Sequence, residues 1–555
     1  MIMEKYTIGL DFGTLAGRAV LVNVCTGEEI AEAVYEYPHG VLEHSLPGSD
    51  QILPAGYALQ DPEDYPKGVE YLLRSILESS HVPAENIIGI GVDATASTVL
   101  PLDSDLQPLC LRPEFRNNPH SWIKLWKHHS TQKYADRINT LAAERREPFL
   151  KRCGGKVCAE WFYPKVLETL AEAPEVFHNT ECFVELGDWL VFLLTDELKR
   201  SSAIAGLHAN WSEVPGEAPS KDFLIQLAPE LTPFAEVRKK LPILPAFSRA
   251  GGLSEQLAFR TGLLPGTAVS AATTDSPVAM LSLGATEEGS CALILGTSGV
   301  LMFPSSQSNC ISGAMACVKD QMLPGAYGNM FGQSSVGDSY GWFAENLVPY
   351  RIYREAEKNG ESVFSILNRS LEQISPENTS VIALDWLNGS RSLLQNASLK
   401  GGFWGLTLSA TTEQLYHALV ESTAFELKTI VDAVSDAGVT LNEIRACGGI
   451  SGKSPEIMQL FADVLSLPIM TYQSAQTVGR GAAILGALSA GKEKGGYDSV
   501  AEAVRAMGCS PAKLYRPEPR RSEIYRNRYR EYLNLYHHFG QIFPYKLGFD
   551  LHLLG

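Results

Sequence analysis

No stretch of this 555-residue sequence approaches the roughly 20 consecutive apolar residues that a membrane span needs. The N-terminus, MIMEKYTIGLDFGT, is interrupted by Glu4 and Lys5 and has no apolar run of signal length before a small-residue cleavage site. Basic residues are in the minority: 46 Lys and Arg against 63 Asp and Glu leave a net charge of −17. That argues against a general nucleic-acid binder, which needs a broad basic surface to release counterions. The 10 cysteines are scattered, and Cys153 and Cys158 have no second pair at zinc-ligand spacing. Without a secretory signal, free thiols in a reducing cytoplasm are expected. There is no low-complexity linker either. Hydrophobic residues make up 45% and charged residues 20%, ordinary globular values, and the length suits two large domains or a few average ones. None of this opposes a local anion site, because backbone amides bind phosphate without adding net charge.

What is present is a repeated strand–turn–strand unit. Tyr6 to Leu10 is β-prone, Asp11-Phe-Gly-Thr14 reads as a turn, and Arg18 to Val24 is β-rich again. About half a chain later Cys291 to Leu295, Gly296-Thr-Ser-Gly299 and Val300 to Phe303 repeat the plan. Two such hairpins in corresponding places suggest a duplicated architecture, with the boundary near Leu283-Gly284. Between them, strands ending at Asp93 and near Asp275 alternate with helices, which favours α/β layers and a mostly parallel sheet. Ligands of such sheets bind beyond the carboxyl ends of the strands, where Asp11, Asp93, Asp275 and Gly296 fall. Thr411 and Gln414 have capping-box spacing at the head of a helix whose stripe runs through Leu415, Ala418, Leu419 and Ser422.

In the first turn, Gly13 lets backbone amides approach a phosphate without a Cβ in the way. Thr14 adds a hydroxyl, and Asp11 suits magnesium held through water. The bland alternative is an ordinary hairpin with Asp11 in an Asx-turn. Gly296-Thr-Ser-Gly299 and Gly448-Gly449 supply two more Gly-rich loops. For Asp275 the alternative to catalysis is a helix N-cap beside Ser276-Pro277.

The segment Gly401-Gly-Phe-Trp-Gly405-Leu406, followed after seven residues by Gln414-Leu-Tyr-His-Ala-Leu-Val-Glu421, resembles the C-terminal signature of the FGGY carbohydrate kinase family, within the sugar kinase/actin/Hsp70 superfamily. Asp11-Phe-Gly-Thr14, Gly91-Val-Asp-Ala-Thr-Ala-Ser-Thr98 and Asn117 to His129 are similar to motifs of its ribulokinase branch. The resemblance spans nearly the whole chain. It implies two actin-like (ribonuclease H-like) α/β domains around a central cleft, residues 1–284 binding sugar and residues 285–555 binding ATP. It also implies transfer of the γ-phosphoryl group from MgATP to a ketopentose hydroxyl. In that scheme Asp275 is the general base and Asp11 the Mg2+-side carboxylate. Gly13, Thr14, Gly296, Thr297 and Ser298 clamp phosphates, and Gly448, Gly449, Lys453 and Ser454 line the nucleoside pocket. Ala96, Trp126, His208, Met330 and Asp275 face the sugar.

The departures from the pattern fall around the sugar. His208 stands where the branch usually has lysine, Met330 where it has glutamate, and Ser276-Pro277 where Ala-His is common. Ser454 also replaces a frequent asparagine. These changes imply an altered substrate or a weaker enzyme, and they keep open an actin-like ATP-binding regulator or a sugar-binding homologue without turnover. His208 also reads as a structural histidine and Met330 as core packing. His128 and His129, being adjacent, do not face one ligand point, so solvent or packing is expected for them. Arg520 to Arg530 reads as a solvated helix face. The apolar end, Phe543 to Gly555, suits docking on the protein body or on a second copy in a homodimer.

Overall fold

The first β-prone run, Tyr6–Phe12 (β1), is buried along its whole length, as befits a strand covered on both faces. The computed structural model describes residues 4–542 apart from 209–210, 213, 215–216, 233–239 and 474–475. The apolar end from Phe543 onward lies outside the described residues. A turn closed by Gly13 N–H donating to the Ala16 carbonyl at 3.0 Å returns the chain as Ala16–Asn23 (β2), antiparallel to β1. Glu29–Glu36 (β3) follows, antiparallel to β2. Ile87–Ala94 (β4) then lies parallel to β1, and Ala268–Ser270 (β5) parallel to β4. The spatial order is β5-β4-β1-β2-β3, with Arg249–Gly252 beyond β5.

The second half repeats this arrangement. Ser290–Leu295 (β6) and Gly299–Ser305 (β7) form the hairpin, and Tyr327–Gln333 (β8) runs antiparallel to β7. Glu443–Cys447 (β9) is parallel to β6, and Ile469–Gln473 (β10) is parallel to β9. The order is β10-β9-β6-β7-β8, flanked by Ala316–Lys319 and Ser510–Tyr515. The expected duplication is therefore present, strand for strand and direction for direction. The expected mostly parallel sheet is not. In each core only the strands reached through long connections run parallel. The short turns after Phe12 and Leu295 cannot hold a crossover and force antiparallel neighbours.

Two helices join the sheets. Thr477–Ala490 lies on β1 and β4 of the first sheet, although it comes late in the chain, and Asp275–Leu283 packs between it and the second sheet. The approach is backbone to backbone. A Cβ on Gly91 would meet the Ala482 carbonyl oxygen at 1.7 Å, one on Gly9 the Gly479 oxygen at 1.8 Å, and one on Gly89 the Gly486 oxygen at 2.1 Å. Glycine is required there because no other residue leaves the space.

The capping box forms as expected: Thr411 Oγ1 accepts from Gln414 N–H, and Gln414 Oε1 accepts from Thr411 N–H, at the head of the Thr412–Asp436 helix. The basic stretch near the C-terminus departs from expectation. In the Pro519–Ile542 helix, Tyr525, Tyr529, Tyr532 and Tyr536 belong to the core of the second half. Arg528 is buried with them, clasping Glu421 through Nε at 2.8 Å and Nη2 at 2.5 Å, and its Nη1 and Nη2 also donate to the Thr379 and Val381 carbonyls. The charge density of the segment concealed an inward stripe of tyrosines at helical spacing. Among the described residues no helix is long and apolar enough to cross a membrane.

A buried acidic pair carries a pH prediction. Burial pushes Asp385 up to about 6, and burial plus the charge of Asp385 holds Glu426 well above the usual carboxylate range. Ser422 donates to Asp385 at 3.0 Å and Ser390 to Glu426 at 3.2 Å. Raised folded-state values mean that the folded chain holds protons the unfolded chain releases. The stabilisation is full below the unfolded carboxyl range and declines as pH rises through about 6. Against the neutral double variant Asp385→Asn/Glu426→Gln, the native chain should gain unfolding free energy when urea titrations move from pH 7.5 to pH 5. A pH-independent difference would show that the pair does not titrate in this window.

Candidate active site

Three carboxyl groups gather at the carboxyl ends of the first sheet. Asp11 on β1 stands in register with Asp93 on β4, and Thr273, two residues before Asp275, pairs with Asp93. The strand runs before them are mostly apolar, and Asp11 and Asp93 are the next-to-last residues of buried strands. Burial first, and then the charge of Asp275, lift Asp11 to about 6 despite Arg18 beside it. Asp93 is held well above the usual range by burial and by the charges of Asp11 and Asp275. Burial also raises Asp275, against the pull of its bond from Ser276. Three adjacent carboxylates in a partly dry site repel one another, so the cluster favours a proton or a cation.

Asp275 opens the Asp275–Leu283 helix, and its Oδ1 accepts from Ser276 N–H at 2.7 Å. Asp275 is thus the first residue of the helix rather than its N-cap, which is Thr274, and its side chain holds only the next N–H. One carboxylate oxygen suffices for that, and the group remains partly exposed.

Above this cluster a cavity of about 910 Å³ separates the two sheets. Asp11 and Arg18 line one side, and Gly448, Gly449, Lys453 and Tyr472 line the other. The size suits a nucleotide. Gly448 has φ 103°, and a Cβ there would meet the Leu295 carbonyl oxygen at 2.3 Å, so glycine is required where β9 turns toward the cavity. Gly449 faces open space. Ser454 is placed differently from its neighbours. Its hydroxyl accepts from Asn368 Nδ2 at 3.0 Å, Asn368 Oδ1 accepts from Tyr416, and the residue is absent from the cavity wall.

The Gly296, Thr297 and Ser298 turn is seated on the start of the Gly337–Leu347 helix. The Gly296 and Thr297 carbonyls accept from Gly337 N–H at 3.0 Å and Val336 N–H at 2.8 Å. Thr297 is exposed, and Gly296 has open space on its Cβ side. On the opposite turn, Thr14 Oγ1 accepts from Trp126 Nε1 at 3.1 Å, leaving the Thr14 hydroxyl proton for another acceptor. Gly13 lies beneath the Arg18 guanidinium.

The sugar-side residues form a second group. Ala96 is half-buried, and Ser97 after it has φ 53°. The buried Lys165 ammonium donates to the Ser97 carbonyl and, at 2.8 Å, to the Leu125 carbonyl, which fixes Ala96 relative to Trp126. His208 is buried, stacks on Trp161 at 4.7 Å and 14°, and shares a hydrogen bond between Nδ1 and the Ser97 hydroxyl. Burial, then Lys165 and Arg391, push it down to about 3, so the ring is neutral. Its Nε2 is buried without a hydrogen-bond partner among the described residues. Met330 is buried on β8 opposite Met302 and Ala316 and shares a hydrophobic cluster with Ala203 and Leu207, close to the His208 segment. Packing is thus shown for Met330. His128 is likewise a packing residue, bonded to Glu168 at 2.9 Å inside a cluster with Lys124, while His129 is exposed.

Two site residues carry no assigned role in the sequence, Arg18 and Asp93, although Asp93 stands there at a ligand-facing strand end. Arg18 is the one exposed position of β2 and stands in register with Asp11. A charged residue breaking a run of Ala, Val and Leu was the available signal.

The N-terminal domain model of the FGGY family of carbohydrate kinases matches residues 6–282, and its C-terminal domain model matches residues 291–490. A ribulokinase of Geobacillus thermodenitrificans is 41% identical over 97% of this chain and 95% of its own. One of Bacillus licheniformis is 42% identical over 95% of each. Among solved structures, a xylulose kinase of Rhodospirillum rubrum superposes with a TM-score of 0.80 at 22% identity, covering 98% of this chain and 100% of the other. A gluconate kinase of Lactobacillus acidophilus gives 0.81 at 19% identity, covering 98% and 99%. With both halves matched in order, two sheets of one plan, and Asp11 and the Gly448-Gly449 loop facing a nucleotide-sized cleft, the chain belongs to the FGGY family of carbohydrate kinases and is a phosphotransferase acting on a sugar hydroxyl.

Proposed function

We propose that the chain transfers the γ-phosphoryl group of MgATP to a ketopentose such as ribulose, at the C5 hydroxyl. In this reading residues 1–284 hold the sugar and residues 285–555 hold chiefly the nucleotide. The observation that carries it is the 41% identity to a ribulokinase across 97% of the chain. Phosphoryl transfer needs positioning and charge stabilisation rather than covalent chemistry from the protein. Asp275, raised by burial, accepts the proton of the attacking hydroxyl. Thr14, Thr297 and Ser298 supply donors on the two sides of the cleft, Gly13 and Gly296 keep those turns free of a Cβ while their own N–H groups close them, and Arg18 adds a cation above Gly13. Asp11, on the cavity wall, would hold magnesium together with water and phosphate oxygens, since among the described residues no three ligating side chains are grouped to hold a metal by themselves. Magnesium bound there supplies charge neutralisation for the phosphates.

The sugar side differs from the family pattern in a specific way. A fixed ammonium and a carboxylate are replaced by a neutral imidazole and a thioether, so His208 offers one neutral hydrogen-bonding nitrogen and Met330 offers none. Sites that bond substrate hydroxyls discriminate strongly against analogues lacking them. Restoring the usual cation with His208→Lys should reorder kcat/KM among ketopentoses. An unchanged ranking would make His208 structural. A coupled ADP-release assay over ketopentoses, polyols and hexoses tests the main reading. ADP release should be stimulated by a ketopentose, and its absence across the panel would overturn the proposal.

A further inference from the structure

After β7 the chain loops through Ser308 and Cys310 and returns as the Ala316–Lys319 strand carrying Cys317. This places two thiols around one hydroxyl. Ser308 Oγ lies 3.3 Å from Cys310 Sγ and 3.9 Å from Cys317 Sγ. Cys310 is half-buried and reachable from solvent, whereas Cys317 is fully buried behind it. The intervening Gly313 is in the left-handed region at φ 79°, so the segment folds back on itself.

We propose that Cys310 and Cys317 form a reversible redox site, with Cys310 the attacking and Cys317 the resolving thiol toward a hydroperoxide. The geometry matches what such chemistry needs: an accessible sulfur beside a second one that is shielded from further oxidants. In the first step the Cys310 thiolate attacks the terminal peroxide oxygen. The O–O bond breaks, an S–OH forms, and the leaving oxygen takes a proton to depart as water or alcohol. In the second step Cys317 sulfur attacks the Cys310 sulfur. The S–S bond forms, the S–O bond breaks, and water leaves with the Cys317 proton. Two thiols lose two electrons and the hydroperoxide gains them.

The acidity of the pair supports the assignment of roles. The nearness of Cys317, and then the contact with Ser308, outweigh burial and the charge of Glu217 and bring Cys310 down to about 6, with Arg152 contributing in the lowering direction. The same contact raises Cys317. By contrast Cys153 and Cys158 nearby are pushed up to about 12 by burial. Only thiolates attack peroxides, so these two are inert by comparison.

The position makes the site relevant to the enzyme. Arg152 donates to the Cys317 carbonyl at 3.4 Å and to the Gly206 carbonyl at 3.2 Å, two residues before His208. Gly313 N–H donates to the Gly154 carbonyl at 3.0 Å. A bond across the loop would therefore stiffen a contact between the two halves of the chain.

The test uses the full-length protein, first reduced and then freed of reductant, with hydrogen peroxide as the probe. Titratable thiols should fall by two per chain, a peptide linking Cys310 to Cys317 should appear by mass spectrometry, and dithiothreitol should reverse both. Cys317→Ser should instead leave Cys310 as a sulfenic acid that dimedone traps, and Cys310→Ser should abolish both products. Iodoacetamide labelling of Cys310 should have its pH midpoint near 6 rather than the ~8.5 of a free thiol. Three results would each overturn the proposal: Cys310 remaining a thiol, native Cys310 passing to the sulfinic acid without a bridge, or a bridge to another cysteine. If Cys310→Ser fails to fold, the dimedone product of Cys317→Ser and the labelling profile of the native chain still decide.

Discussion

Asp275→Asn should abolish sugar-dependent turnover, lowering kcat by about 10²–10⁴-fold, the usual contribution of a positioned general base. The amide keeps an oxygen that can accept the Ser276 N–H bond, so the start of the Asp275–Leu283 helix is preserved and the loss is chemical rather than structural. Nucleotide binding should persist, because the cavity wall carries Asp11, Arg18 and the Gly448 loop but not Asp275. The measurement is ADP release with saturating ketopentose, set beside calorimetric titration with a non-hydrolysable ATP analogue. Near-native turnover would remove Asp275 from the base role. Loss of analogue binding together with turnover would point to collapse of the carboxyl cluster instead.

Arg528→Ala should cost about 3–5 kcal/mol of stability, the range seen when one partner of a buried ion pair is removed. Glu421 would stay behind. Burial pushes its carboxyl up, but His417 and Arg528 together hold it below the ordinary value, so at neutral pH it is charged and depends on its partners. The Thr379 and Val381 carbonyls would lose their donor as well. Glu421 is the last residue of the signature segment on the Thr412–Asp436 helix, so that position serves to fasten the C-terminal helix rather than to touch substrate. Chemical denaturation checks the size of the effect. Adding Glu421→Gln to Arg528→Ala should recover part of the loss, and no recovery would mean that the arginine acts only through its carbonyl contacts.

Much of this molecule can be read from its sequence, and the reasons are local. The two hairpins announce themselves through apolar runs broken by Asp-x-Gly-Thr and Gly-Thr-Ser-Gly, and the capping box at Thr411 and Gln414 needs only three-residue spacing. Asp11 and Asp275 stand where strands end, so their meeting follows from the topology. What stayed hidden depends on partners distant in the chain. Arg528 looks solvated until Glu421, more than a hundred positions earlier, is placed beside it. Ser454 looks like a pocket residue until Asn368 takes its hydroxyl. His208 reads as a sugar-facing or a structural histidine, and only its burial against the Trp161 ring and near Lys165 reveals a neutral, stacked imidazole. The mostly parallel sheet was misjudged because strand–helix alternation outweighed the two tight turns.

The glycines of β1 and β4 have a consequence for how the chain is made. Gly9, Gly89 and Gly91 prepare one face of the first sheet to receive backbone from the Thr477–Ala490 helix, and no other residue type fits that approach. While the protein emerges from the ribosome, that face waits uncovered until residues 477–490 have been made. A nascent chain halted after the first half would present an open, apolar sheet to its neighbours. β1 and β4 thus complete their native surroundings only when a helix made long after them arrives, and that dependence is written into three glycines.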